Sequence, residues 1–282
     1  MQKLEMYQSL WGMELRNPRL AERSAQEAFG MVAEAGFDGM CIDLGADEIE
    51  QFQSYQTYYG QHGLGCMVNA FPGRVGDLRP LLELAREFSA CMVNVIGGVM
   101  PLTVAGAVPL IYRWMEEAER QRMPLLFETH RDGLLNDLFY TLQVLDSVPE
   151  MRLCADLSHF VVDREFRSPL PEIDEARIQQ VLARSDCFQG RIASREQIQV
   201  QIEFPQHREW VEIFRGWWKD GMRLWRARNA GDATLRFLCE LGPPPYAITD
   251  GERQELSDRW QESLTIRGWV QEIWRELERE DA

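Results

Sequence analysis

Lysine is nearly absent from this chain, because only Lys3 and Lys219 occur among its 282 residues. Lys3 precedes the first predicted strand, and Lys219 lies in a long predicted helix. Neither stands where a strand is expected to end, which argues against an enzyme that works through a lysine Schiff base.

Long apolar runs are also missing. No stretch approaches the roughly 18 apolar residues of a membrane span, and the first residues, MQKLEMYQSL, lack the apolar segment of a secretory signal. The six cysteines include no CxxC pair, and each lies in or beside a predicted strand. They are expected to be reduced core residues. These features predict a cytoplasmic protein without a membrane anchor.

Basic residues are fewer than acidic ones. Lysine and arginine total 30 against 45 acidic residues, a net charge of −15. A strongly acidic surface repels nucleic acids and anionic lipids. We therefore expect neither as a partner.

Short apolar runs alternate with helical patterns along the chain. Most of the runs are continuously apolar, which is typical of parallel strands covered on both faces. The predicted strands are Leu4–Leu10, Gly39–Leu44, Gly63–Phe71, Cys91–Gly97, Pro124–His130, Arg152–His159, Cys187–Ala193 and Thr234–Leu241. Eight such units predict an α/β fold, a single (β/α)₈ TIM barrel domain over residues 1–282.

The segments between the strands are amphipathic. Asp77 is a candidate N-cap and Gly36 a candidate helix stop. The predicted helical segments are Ala21–Ala35, Leu78–Ser89, Val108–Gln121, Asp174–Arg184, a stretch with a tryptophan stripe from Trp210 to Trp225, and Gly251–Glu280. The stripe fits either packing against the barrel or an oligomer contact, so a homodimer or homotetramer is a further expectation.

Acidic residues end three of the predicted strands. Glu128 ends the fifth, Asp156 and His159 end the sixth, and Glu240 ends the eighth. A single acidic residue there is often part of a salt bridge or a capped loop. Three carboxylates and a histidine at the rim where barrel enzymes keep their active sites instead suggest a shared cation. Oxygen ligands with an imidazole suit Mn²⁺, Mg²⁺, Co²⁺ or Zn²⁺.

The segments AEAGFDGMCIDL, FETHRDG, CADLSHF and CELGPPPY resemble the xylose isomerase-like TIM barrel superfamily, over nearly the whole chain. The resemblance implies a divalent metal, with Mn²⁺ first, held by four residues from strands five to eight. Those positions are Glu128, Asp156, Gln189 and Glu240. Relatives carry histidine where this chain has Gln189. The nuclease branch, with its histidine-rich trinuclear zinc site, does not fit a chain with four histidines.

The resemblance also implies substrate contacts for His159, Arg191 and Gln199, and His130 is close enough in sequence to join them. The implied activity is isomerisation or epimerisation of a keto sugar or polyol through an enediolate, with Glu128 and Glu240 as base and acid. A dehydratase or lyase would use the same intermediate. A non-catalytic sugar-binding barrel is a further alternative, because Gln189 is a weaker ligand than imidazole.

No glycine-rich phosphate cradle follows the seventh strand, where only Arg191 and Arg195 supply positive charge. An unphosphorylated or acidic polyol is therefore the expected substrate.

Overall fold

Eight parallel strands close into a barrel in the computed structural model, which describes residues 1–281. The strands are β1 (Lys3–Ser9), β2 (Gly39–Leu44), β3 (Gly65–Ala70), β4 (Val93–Val95), β5 (Leu125–Glu128), β6 (Leu153–Ala155), β7 (Ser185–Gln189) and β8 (Thr234–Cys239). They pair in chain order, and β8 closes against β1 with Tyr7 beside Leu238. The predicted (β/α)₈ barrel is confirmed.

The helices surround this barrel. They are α1 (Ala25–Glu34), α2 (Ile49–Phe52), α3 (Gln56–His62), α4 (Leu78–Glu87), α5 (Val104–Gln121), α6 (Leu138–Ser147), α7 (Leu157–Asp163), α8 (Glu172–Leu182), α9 (Arg208–Arg228) and α10 (Arg259–Glu280). Short 3₁₀ turns cover Trp11–Met13, Gln53–Tyr55, Val75–Asp77 and Pro205–His207. Through residue 281, no helix has both the length and the apolar character needed to cross a membrane.

Capping residues set the helix ends, and some predicted ends are shifted. Helix α1 begins at a capping box in which Ser24 and Glu27 bond reciprocally, and it stops before Gly36, whose φ is +76°. Asp77 occupies the predicted N-cap position of α4, but its side chain makes no capping bond there; its carboxylate instead accepts the Arg74 N–H at 2.8 Å in the preceding turn. The last helix begins at Arg259 rather than Gly251, since Asp258 caps it.

The predicted strand Arg152–His159 is wrong beyond Ala155. Asp156 accepts the Ser158 N–H at 3.0 Å and acts as the N-cap of α7. This bond turns the chain into a helix directly after β6. His159 therefore lies on a helix, and its position relative to Asp156 is set by helical geometry.

A ring of apolar side chains fills the interior of the barrel. Each strand, or the residue just before it, contributes one member of a separate buried cluster: Tyr7, Cys41, Met67, Met92, Leu126, Cys154, Cys187 and Leu238. All six cysteines of the chain are free thiols, and three of them belong to this ring. Five of the six are buried, as expected of core residues, and Cys91 is half-buried against the ring. The ring forms the floor beneath the mouth of the barrel.

A larger apolar layer lies between the strands and the helices. Trp218 of α9 is 1% exposed and meets Phe237 of β8 edge-on, with ring centroids 5.3 Å apart. Trp210, Phe214 and Trp225 of the same stripe are buried as well. The stripe therefore packs against the barrel, and it offers no exposed surface for an oligomer contact.

Candidate active site at the mouth of the barrel

A second ring, of polar side chains, lies directly above the apolar floor. Each member follows a floor residue by two positions, so both point into the barrel. The members are Ser9, Asp43, Asn69, Asn94, Glu128, Asp156, Gln189 and Glu240. The carboxyl ends of all eight strands thus bring one polar group each to the same mouth, where barrel enzymes hold their active sites.

Three carboxylates of this ring converge. Glu128, Asp156 and Glu240 are at most 4% exposed, and one oxygen from each lies within 4.8 Å of the others. Three ionised carboxylates this close repel one another strongly in a buried site. The cluster therefore needs positive charge, protons or both.

Arg191 supplies one positive charge. Its Nη2 donates to Glu240 Oε2 at 3.0 Å, and its Nε lies 3.2 Å from Asp156 Oδ2. The guanidinium is 2% exposed and stacks near Tyr246 and Trp11, with its central carbon 4.8 Å and 5.6 Å from the two ring centroids. Aromatic walls of this kind hold a guanidinium in place without taking up its donors.

Amide side chains hold the two glutamates. Glu128 Oε2 accepts from Gln189 Nε2 at 2.7 Å and from Asn94 Nδ2 at 2.5 Å. Asn94 also donates to Asn69 at 2.9 Å, and Asn69 donates to Glu240 Oε1 at 3.0 Å. An uninterrupted chain of amides therefore connects Glu128 to Glu240 across the mouth.

The acidic groups differ in pKa. Burial, together with the Asp156 charge, raises the pKa of Glu128 to about 8. Burial and the Glu128 charge also raise the pKa of Glu240 well above its usual range. Burial acts in the same direction on Asp156, but Arg191 and His159 outweigh it and lower the pKa of Asp156. The mouth thus places Asp156, whose environment favours the carboxylate, beside two glutamates whose burial favours the protonated form.

Two histidines lie on the β5–β6 side of the mouth. The ring centroids of His130 and His159 are 4.0 Å apart, and Nδ1 of His130 accepts the Asp132 N–H at 3.1 Å. His159 is fully buried, with Nε2 3.4 Å from Asp156 Oδ2. Burial lowers the pKa of both imidazoles, which keeps them neutral near pH 7.

The side chain of Gln199 binds the backbone of Gly242. Its amide donates to the Gly242 carbonyl at 3.1 Å and accepts the Gly242 N–H at 2.7 Å. This reciprocal pair fixes the loop after β8, which carries Tyr246 over the mouth. The structure thus engages the Gln199 amide in loop geometry and places Gln199 outside the lining of the cavity.

The cavity at the mouth has a volume of about 290 Å³. This is near the lower end of the range of about 300–1,000 Å³ for small-molecule pockets. Its lining combines predicted and unpredicted residues: Trp11, Asp43, Phe71, Ile96, Glu128, His130, Arg191, Glu240 and Tyr246. Such a space suits one compact polar molecule.

The sequence reading missed Asp43, Asn69 and Asn94, although a signal for them exists. Each is a lone polar residue at the end of, or inside, an apolar strand run, as in CIDL, MVNA and MVNV. The period of two relative to the apolar floor marks them as inward-facing.

The donor set fits a divalent cation. Oxygens of Glu128, Asp156 and Glu240 are close enough to share one ion. Gln189 Oε1 is buried and has no hydrogen-bond partner within residues 1–281, so it is available as a further oxygen ligand. Carboxylate and amide oxygens are ligands that Mg²⁺ and Mn²⁺ accept.

Comparison with known proteins identifies solved structures of similar fold. No protein-family model matches the chain, and no curated protein sequence does. Solved structures do match. A xylose isomerase-like TIM barrel protein from Mycobacterium smegmatis, in complex with magnesium, is 16% identical with a TM-score of 0.63 and 97% coverage of both chains.

Two enzymes are among the structural matches. D-allulose 3-epimerase from Methylomonas sp., in complex with D-allulose, is 12% identical with a TM-score of 0.60 and 98% coverage of both chains. The protein AsbF of Bacillus anthracis, named as a probable 3-DHS dehydratase, is 16% identical with a TM-score of 0.53, over 84% of this chain and 92% of its own. At these identities the likeness shows the barrel fold alone, which this chain shares with xylose isomerase-like proteins.

Proposed function

We propose that this protein is a divalent-metal-dependent isomerase or epimerase of a keto sugar or polyol. One observation carries the proposal. Glu128 and Glu240, two buried carboxyl groups with raised pKa values, line the same cavity beside Asp156 and Arg191. Two buried carboxyl groups with raised pKa values suit proton removal and return at a carbon next to a carbonyl.

Glu128 is the better candidate for the base. Both amide donors of Glu128 bind its Oε2, and Oε1 receives no hydrogen bond from the described part of the chain. Oε1 is therefore free to accept a proton from a C–H bond in the cavity. Both oxygens of Glu240 accept hydrogen bonds, from Asn69 and Arg191, so Glu240 suits the return of a proton from a fixed position.

A bound divalent cation, with Mn²⁺ the first to test, would be held by Glu128, Asp156, Glu240 and Gln189 Oε1, and would polarise the substrate carbonyl as a Lewis acid. Arg191 would bind a substrate oxygen through its Nη1, which is buried without a partner in residues 1–281. The neutral imidazole of His130 lines the cavity and would orient a hydroxyl group. The aromatic rings of Trp11 and Tyr246 line the cavity and would shield this wall from water.

Elimination is a second outcome at the same site. Proton removal next to a carbonyl followed by loss of a β-hydroxyl gives a dehydratase or lyase. The structures with a similar fold include a D-allulose 3-epimerase and a protein named as a probable dehydratase. Proteins of this fold are therefore associated with both epimerisation and elimination. The cavity has no lysine or glycine-rich loop in its lining, which favours an unphosphorylated substrate.

A non-catalytic sugar-binding barrel is supported by one specific observation. Gln189 donates to Glu128, and Arg191 donates to Glu240 and lies 3.2 Å from Asp156, so all three carboxylates have a partner from within the chain. A site stabilised by these partners can bind a polyol without turnover.

Hydrogen exchange separates these functions. The protein, loaded with Mn²⁺, is incubated in D₂O with a panel of keto sugars and polyols, and deuterium is located by NMR. The proposal expects label at the carbon beside the carbonyl, with loss of that label in Glu240→Gln. His62→Gln, outside the site, is the matched control. Binding of a sugar without exchange across the panel would establish the non-catalytic alternative.

A further inference from the structure

A second group of metal-ligand side chains lies beside the carboxylate cluster. Glu128, His130 and His159 each offer one ligand atom, and the three atoms lie within 4.8 Å of one another. Glu128 ends β5, His130 follows it by two residues, and His159 is on the first turn of α7. Two imidazoles and a carboxylate on one side of an ion leave its other positions open to water or substrate.

His159 adds an independent observation. Its side chain is 0% exposed; Nε2 lies 3.4 Å from Asp156 Oδ2, and Nδ1 has no hydrogen-bond partner within residues 1–281. Buried polar groups without partners are costly and rare in folded proteins. The imidazole lies against His130 at a centroid distance of 4.0 Å, so both rings face the same side of the mouth. An ion between them would satisfy a nitrogen that the protein leaves free.

We propose that Glu128, His130 and His159 form a cation site of their own, which takes a transition-metal dication such as Zn²⁺ or Co²⁺. This site shares Glu128 with the carboxylate cluster and so deepens the proposed function. Glu128 is the one residue through which the two proposals depend on each other. Imidazole ligands favour Zn²⁺ and Co²⁺ over Mg²⁺, which prefers oxygen.

The surrounding charges favour this position for a nitrogen-bound ion. Arg191 pairs with Asp156 and Glu240, so its guanidinium already serves the far side of the carboxylate cluster. The three proposed ligands form no ion pair with Arg191. A dication on the histidine side therefore does not displace the buried arginine. The loop after β5 and helix α7 supply the imidazoles that β7 lacks at Gln189.

Metal titration of the full chain tests the site. Binding of Zn²⁺ and Mg²⁺ to the metal-free protein is measured by calorimetry, with circular dichroism to verify the fold of each variant. His130→Gln and His159→Gln are expected to weaken Zn²⁺ binding by at least about tenfold. Glu240→Gln, which alters only the carboxylate cluster, should change Zn²⁺ affinity less than about twofold. His62→Gln is the matched histidine control.

Anomalous diffraction at the zinc edge then locates the ion. Density between His130 and His159 supports the proposal, and density among Glu128, Asp156 and Glu240 alone overturns it. Unchanged Zn²⁺ affinity in His130→Gln, whose half-buried position tolerates substitution, also overturns it. The outcome is separate from the proposed function, because an ion at the histidines without hydrogen exchange would support this site while refuting the isomerase.

Discussion

Gln189 donates its side-chain amide to Glu128 Oε2 over 2.7 Å, and this bond joins the ends of β7 and β5 across the mouth of the barrel. Gln189 therefore acts on the site as a hydrogen-bond donor, and it has one free oxygen, Oε1, for a cation. The same bond leaves Glu128 Oε1 as the oxygen available to substrate.

Replacement of Gln189 by histidine should tighten metal binding. Imidazole is a stronger ligand than an amide oxygen, so we expect Gln189→His to lower the Kd for Mn²⁺ by about tenfold or more. Calorimetric titration of the two proteins measures this change. Gln180→His adds a histidine on the exposed surface of α8 and is the matched control. An unchanged Kd would show that position 189 does not contact the ion.

The fold and the four strand-end site positions could be predicted because they follow from local patterns. Glu128, Gln189 and Glu240 stand at the ends of apolar runs, and parallel strands bring such ends to one rim. Asn69 and Asn94 follow the same period of two, but a lone asparagine in an apolar run has many structural explanations. Their role as donors becomes clear only once the closed barrel places them between the glutamates.

Pairings that depend on closure of the barrel could not be read from the chain. Arg191, in the loop after β7, donates to Glu240, which is 49 residues away in sequence. It also pairs with Asp156, which follows the neighbouring strand β6. Gln199 matches a substrate-binding motif in sequence, yet its amide is engaged by Gly242. The error at His159 has a local cause, because the Asp156 cap converts the expected strand end into a helix.

Substitution of Glu128 by glutamine should abolish hydrogen exchange while preserving the fold. The amide keeps the shape and an acceptor oxygen for Asn94, but it cannot take a proton from carbon. We expect the rate of exchange in D₂O to fall by at least about 10²-fold. Urea unfolding at pH 8 should show no loss of stability, because burial disfavours the charge that is removed. If the Glu128→Gln variant retained exchange, another group would have to be the base.

Glu262 should make stability depend on pH. It is buried in α10, accepts the Ile202 N–H at 3.0 Å, and has its pKa raised from 4.5 to about 7, mainly by burial. Because the folded pKa lies above the unfolded value, this contribution to stability is present below pH 4.5 and is lost as pH rises through about 7. Glu262→Gln should therefore stabilise the protein at pH 8 by on the order of 2 kcal/mol, and leave it unchanged at pH 4.

Urea unfolding of the wild type and Glu262→Gln at both pH values measures this difference. Glu272→Gln, at an exposed position of the same helix, is the matched control. Equal free energies of unfolding at pH 8 would mean that Glu262 ionises in the fold at no cost.

Removal of the Trp218 side chain should destabilise the barrel. Its ring is 1% exposed and meets Phe237 edge-on, so Trp218→Ala leaves a large cavity between α9 and β8. We expect the free energy of unfolding to fall by about 3–5 kcal/mol. Tyr112→Ala, at a position that is 36% exposed, should cost about 1 kcal/mol or less. Urea unfolding measures both, and a loss for Trp218→Ala no larger than that for Tyr112→Ala would contradict the assignment of the tryptophan stripe to the core.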